Sequence, residues 1–153
     1  MIIIKKSTTA DTRSCDYTKV TLPQLKASSE QHIKDVGEAL LYFNAMIHVA
    51  AQRHDADKIS DIGSFHADFI TGFKQTGWWD RHRKLNRHHL SAADGVPDDV
   101  NLIDVLEMVA DCVTAGMGRT GEVYPIELPN DVLQKALDNT ARLLIKNIRV
   151  EES

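Results

Sequence analysis

The chain has 153 residues, 42% of them apolar and 26% charged, which is ordinary usage for a folded chain long enough to bury a core. These proportions exclude a disordered tail, a collagen-like fibre and a membrane bundle. Net charge is −4 and the pI about 5.9, so general binding to a nucleic-acid backbone, which runs on lysine and arginine, is excluded too.

Ile2–Ile4 reads as one short strand, and this apolar triplet precedes Lys5 and Lys6, the reverse of a secretory signal. The rest of residues 1–21 is polar and reads as an irregular N-terminal arm. From Leu22 the pattern turns helical. Ser28 or Ser29 suits an N-cap, and Ile33, Val36, Leu40, Phe43, Ile47 and Ala50 recur at helical spacing. A second helical stretch runs from about Asp61 to Gln75, with Phe65, Phe69, Ile70 and Phe73 on one side. Gly77 interrupts it, and Trp78–Leu85 reads as a short helix. Asn86, Gly95 and Pro97 mark residues 86–98 as loop. Asp98 and Asp99 suit the N-terminus of the clearest helix, Asp99 to about Ala115, with Leu102, Leu106, Val109 and Val113 as its apolar positions. Gly116, Gly118 and Gly121 end it. They lack the preceding strand and the lysine of a phosphate loop. Pro125 and Pro129 bracket an irregular segment. Asn130 caps a last helix whose apolar side is Leu133, Leu137, Leu144 and Ile148. The pattern predicts an all-α, compact helical bundle in one domain: arm 1–21, core 22–115, loop and C-terminal helix 116–153. Cys15 and Cys112 are too few for a disulfide framework, which points to a reducing cytoplasm. Cys112 reads as a small buried hydrophobe.

Histidine is the unusual residue. The seven histidines stand at 32, 48, 54, 66, 82, 88 and 89, and none lies in the last 64 residues. Imidazole is the commonest metal ligand and the usual acid or base at neutral pH. His54 and Asp55 open the stretch HDADK, which also holds Lys58. Adjacent side chains diverge on a helix, so both reach one ion only near a helix end. His32 precedes His54 by 22 residues, roughly 33 Å on one straight helix. It joins the same site only if the helix breaks near Asn44 and folds back. A continuous helix from 28 to 54 defeats that idea.

WWDRHRKLNRHH, residues 78–89, places His82, His88 and His89 among Arg81, Arg83, Lys84 and Arg87. The functional reading is a second group of ligands, using one or both of His88 and His89, flanked by cations that hold a phosphate. Trp78 and Trp79 suit core anchors better than base-stacking platforms. On the next helix Asp104, Glu107 and Asp111 share one face. Asp111, in MVADCV, is expected to lie deepest and to ligate; Asp104 is expected in a solvated stripe. His48 and His66 are read as bystanders.

A histidine, then His-Asp, then a distant Asp on a later helix resembles the HD superfamily of metal-dependent phosphohydrolases. HDADKI is similar to the HD-x-x-K-I stretch of its two-metal branches, His82 and His88-His89 resemble their inserted histidines, and VADCVTA resembles their final helix. More narrowly, a Trp before H-x-x-x-N-x-HH and then E-M-x-x-D resembles a small phage and bacterial family of uncharacterised function. Ala56-Asp57 stand where that family has a Ser before the Lys. The likeness covers about residues 30–115. It implies a bundle of HD type that holds one or two divalent transition metals (Mn, Fe, Co, Ni or Zn) on His32, His54, Asp55, His82, His88, His89 and Asp111. It implies hydrolysis of a nucleotide or other small phosphate ester. Lys58, Arg81, Arg83 and Arg87 would neutralise phosphate, Asn86 would bond ligand or substrate, and Glu107 would orient a histidine or relay a proton. A two-iron oxygenase, a non-catalytic metal- or nucleotide-binding module, and a purely structural metal clip are the other readings. A homo-oligomer is compatible with all of them.

Overall fold

The structure, a computed structural model, describes residues 1–7 and 15–152. It is mostly helical, as the periodicity predicts, and it also has two short strands. Among the described residues no helix is long and apolar enough to cross a membrane. Contacts gather residues 1–45 and 142–153 into one unit and residues 46–141 into another.

In the first unit β1 (Ile2–Lys5) pairs in parallel with β2 (Ile148–Glu151), Ile2 opposite Ile148 and Lys5 opposite Glu151. Ile148 therefore belongs to a strand and not to the last helix. Its alternating IRVE segment has its partner at the other end of the chain, out of reach of any local pattern. Of the expected irregular arm, residues 8–14 lie outside the described residues; the rest holds β1 and a 3-10 turn at Tyr17–Lys19.

Helix α1 (Leu22–Arg53) starts earlier than the serines suggest. Gln24 Oε1 accepts from the Thr21 backbone N–H at 2.9 Å, one half of a capping box, and Pro23 is tolerated in the first turn. The helix runs 32 residues without a break. The bend near Asn44 does not occur: no proline interrupts the segment, and nothing else there removes a backbone bond. Its apolar stripe is not covered either, with Ile33 70% and Leu40 62% exposed.

The second unit carries α2 (Ala56–Ser60), α3 (Ile62–Phe69), α4 (Trp78–Leu85), α5 (Leu102–Thr120) and most of α6 (Asn130–Lys146). The helix expected to run to Gln75 stops at Phe69, where residues 70–77 turn through left-handed Gly72, Phe73 and Gly77. Asp68, fully buried, holds that turn: its carboxylate accepts from the backbone N–H groups of Thr76 at 2.9 Å and Trp79 at 3.2 Å. α5 begins at Leu102 and not at Asp99. Asn101 and Asp104 form a capping box across its first turn, an Asn-x-x-Asp pattern the sequence already carries. It runs past Gly116 and Gly118 and ends at Gly121, left-handed at φ 76°. Gly116 stays hydrogen-sized on its outer side because a Cβ there would lie 2.6 Å from the Glu122 carbonyl oxygen.

The core of this unit is Leu90, Val100, Met108, Val132 and Ala136, with Cys112 partly buried against it. α5 buries Ile103, Asp104 and Met108, while Leu106, Val109 and Val113 face outward; α6 buries Val132, Ala136 and Thr140, while Leu133 and Leu137 face outward. Both helices carry apolar residues on two sides, so spacing alone selects the wrong face.

Candidate metal centre

The site is assembled in the second unit, at the point where α1 ends. His54 follows the last helical residue, its N–H still bonded to the Ala50 carbonyl at 2.8 Å. Asp55 then turns left-handed, φ 51°, before α2 begins. That conformation costs a non-glycine residue about 1 kcal/mol, and aspartate tolerates it better than most. The turn brings both side chains to one place, with His54 Nε2 3.6 Å from Asp55 Oδ2. An adjacent His and Asp thus converge at a helix end, as the sequence requires.

α4 and the loop after it supply the other histidines. His82 is buried on the inner side of α4, its ring stacked on both Trp78 and Trp79. Trp78 is itself buried against Phe65 and donates its indole N–H to Asp61 at 3.0 Å, so it is an anchor and not a base platform. His88 and His89 both reach inward because they lie in irregular chain, where adjacent side chains need not diverge. Gly95 lets the backbone close over this loop: a Cβ would meet the His89 carbonyl oxygen at 2.6 Å.

Two groups of ligand atoms result, His54–Asp55–His88 and Asp55–His82–His89. Asp55 Oδ1 lies 3.4 Å from His82 Nε2 and 3.5 Å from His88 Nε2. His89 Nε2 is 3.0 Å from His82 Nε2. Asp111 flanks the first group, 3.7 Å from His54 Nε2 and 3.9 Å from His88 Nε2. Such separations suit atoms that share an ion at about 2.0–2.2 Å.

A carboxylate stands behind each group. Glu107 Oε1 accepts from His54 Nδ1 at 3.0 Å, which leaves the Nε2 lone pair facing Asp55 and Asp111. His88 Nδ1 is also 3.0 Å from that oxygen but out of line for a hydrogen bond. Asp57 Oδ2 accepts from His82 Nδ1 at 2.8 Å, and Asn86 Nδ2 donates to Asp57 Oδ1 at 2.9 Å. Carboxylates placed in this way fix the tautomer and orientation of metal-bound histidines.

The fit to a cation is tested by the atoms left over. Asp55 Oδ1, His88 Nδ1 and His88 Nε2 are buried with no protein hydrogen-bond partner among the described residues. Each such atom costs about 1–3 kcal/mol unless something else satisfies it. An oxygen and an imidazole nitrogen aimed at each other across 3.5 Å suit a divalent ion with nitrogen and oxygen ligands. The groups are also poised in protonation. Burial, and then the neighbouring imidazoles, push the His89 pKa down to about 4, and burial lowers that of His88. Both rings are therefore neutral at pH 7, as ligation requires. Burial opposes ionisation of Asp55, but the Lys58 ammonium paired with its Oδ2 holds the carboxyl below the usual range.

The remaining expectations divide. His32 is exposed on α1, which runs unbroken from Leu22 to Arg53, so the fold-back on which its place in the site depended is absent. Lys58 is spent on Asp55. Arg83 pairs with Asp80 and Asp94, and Arg87 forks onto Asp104 at 2.8 and 2.9 Å and onto Asp99. Arg81 is exposed and donates to the Thr76 carbonyl. All three arginines thus have partners outside the two groups. Asp104 is the deepest of the three α5 carboxylates, 4% exposed, while the Asp111 side chain is 32% exposed; the expected depths are reversed because Asp104 caps α5 and pairs with Arg87. Asn86 donates to Asp57, so it acts through the carboxylate behind His82. His48 bonds Gln52 one turn along α1, and His66 lies on α3 outside both groups. Asp57 and Asp68 are the residues missed. For Asp57 the one hint is a further acid between His-Asp and Lys. Comparison with protein-family models, curated proteins and solved structures gave no match.

Proposed function

We propose that the protein is a metal-dependent phosphohydrolase of HD type, holding one or two transition-metal ions and acting on a nucleotide or other small phosphate ester. The observation that carries this reading is Asp55: one carboxylate shared by two histidine groups, with a buried oxygen, Oδ1, that has no hydrogen-bond partner among the described residues. Bound Mn, Fe, Co, Ni or Zn would supply Lewis acidity and a water of lowered pKa. His54, Asp55, His88 and Asp111 would hold one ion, and Asp55, His82 and His89 the other. The chain's own groups do the positioning. Glu107 keeps the His54 proton on Nδ1, Asp57 keeps that of His82 on Nδ1, and Lys58 orients Asp55. Phosphate charge falls to the ions, since the arginines of α4 and its loop are engaged or outward. A reducing cytoplasm suits the free thiols of Cys15 and Cys112.

The test is phosphate release from a panel of nucleotides and simple phosphate esters, using protein prepared without chelator. We expect release that chelation abolishes, added Mn or Zn restores, and His54→Ala and Asp55→Asn each eliminate. Metal-loaded protein that releases no phosphate from any of them, or release indifferent to Asp55→Asn, would sink the proposal.

A further inference from the structure

Within the second unit a cleft of about 270 Å³ opens beside the first ligand group. One wall is the last turns of α1, with Ile47, Ala50 and Ala51; the other is α5, with Leu106 and Ala110. Its polar groups converge at one end, and they are His54, Glu107 and Asp111. The only further polar side chain is Thr114, whose hydroxyl donates to the Ala110 carbonyl of its own helix at 2.9 Å. His82 and His89 do not line it.

We infer that this cleft is the substrate's second subsite, and that it takes a short hydrocarbon or aryl group whose polar head sits at His54 and Asp111. The inference rests on the phosphohydrolase reading for the chemistry of the head group. Size and lining decide the rest. A dry cavity of about 150 Å³ accepts benzene, so this one has room for an aryl ring or a short alkyl chain. A nucleobase would bring ring-edge donors and acceptors against alanine, isoleucine and leucine, which offer them no partner, so the lining favours a hydrocarbon or aryl group. Polar groups at one end and an apolar remainder make a site that orients an amphiphilic ligand. The substrate class is therefore an alkyl or aryl phosphate ester and not a nucleotide.

The experiment is calorimetric binding to the full chain loaded with Mn(II). The probes are methyl-, butyl- and phenylphosphonate, which turnover cannot consume, the matching carboxylates, and adenosine monophosphate. Butyl- and phenylphosphonate should bind about tenfold tighter than methylphosphonate, less than full burial of three methylenes gives because the cleft is open on one side. Adenosine monophosphate should bind no tighter than methylphosphonate. Ala110→Leu, and Ala51→Leu from the facing wall, should erase the gain, so that butylphosphonate binds no tighter than methylphosphonate. Both positions are exposed on helices, where leucine is well tolerated. Equal affinity for all phosphonates would overturn the subsite while leaving the phosphohydrolase reading intact. A chain-length gain on carboxylates with no phosphonate binding would keep the subsite and sink that reading. Adenosine monophosphate binding tighter than butylphosphonate would overturn the subsite. So would a dimer that Ala110→Leu disrupts and butylphosphonate leaves intact, because a second copy would then own the cleft.

Discussion

The His54–Asp55–His88 group and the Asp55–His82–His89 group share a carboxylate but differ in what they face. The first is open. The His54 side chain is 33% exposed, Asp111 stands beside it, and the apolar cleft begins there. The second is closed around His82. His82 is fully buried, its ring lies against two tryptophans, and Asp57 with Asn86 locks its far nitrogen. A dipole-rich, tightly bonded surround favours a firmly held ion, whereas an open side leaves room for substrate. Under the proposed function the first half would receive the substrate and the second would anchor its ion.

The largest effect is expected at the shared residue. Asp55→Asn keeps the shape and tolerates the left-handed backbone, yet should weaken metal binding in both halves by more than about a hundredfold; competition against a chromogenic chelator reads it. Loss from one half alone would break the idea of a common ligand. Next come the two rear carboxylates. Asp57→Ala should weaken the closed half and Glu107→Ala the open half, each by about 10- to 100-fold, seen as loss of one phase in a two-step metal titration. Arg87→Met removes the half-exposed partner of the buried Asp104 carboxylate and unmoors the loop that carries a histidine for each half. Discounted for the 39% exposure of the Arg87 side chain, it should cost about 2–3 kcal/mol in denaturant unfolding. Metal-free protein should also show an acid weakness. The His89 pKa in the fold, about 4, lies below its ordinary value near 6.5, so the unfolded chain binds the extra proton first. Stability is then full above pH 6.5 and falls as pH drops toward 4; a midpoint flat across that window would contradict the burial of His89. His32→Ala, smallest of all, should leave metal content unchanged by elemental analysis.

Much of the site was legible because it rests on local facts. His-Asp at a helix end, two histidines in irregular chain, and Asp111 on the α5 face facing them all follow from spacing and helix geometry. The short helix Trp78–Leu85 also stands where Gly77 and Asn86 bound it. What was not legible depends on distant partners. His32 entered through an imagined bend that helix α1 does not make. Asp57 takes its meaning from His82, 25 residues on, and β2 from β1, across nearly the whole chain. Arg83 and Arg87 read as phosphate binders because, Asp80 apart, the carboxylates that engage them lie 11 to 17 residues away in a loop and a helix cap. Orientation of α5 and α6 failed for a further reason: each helix has two apolar sides, and only packing chooses between them.

The central claim is that one carboxylate joins two ion-holding groups. Electron paramagnetic resonance of protein titrated with Mn(II) tests it most directly. The account predicts two Mn(II) per chain with the exchange-coupled spectrum of ions bridged by a common ligand, lost in Asp55→Asn. Absence of bound Mn(II), or isolated uncoupled ions indifferent to that substitution, would contradict it.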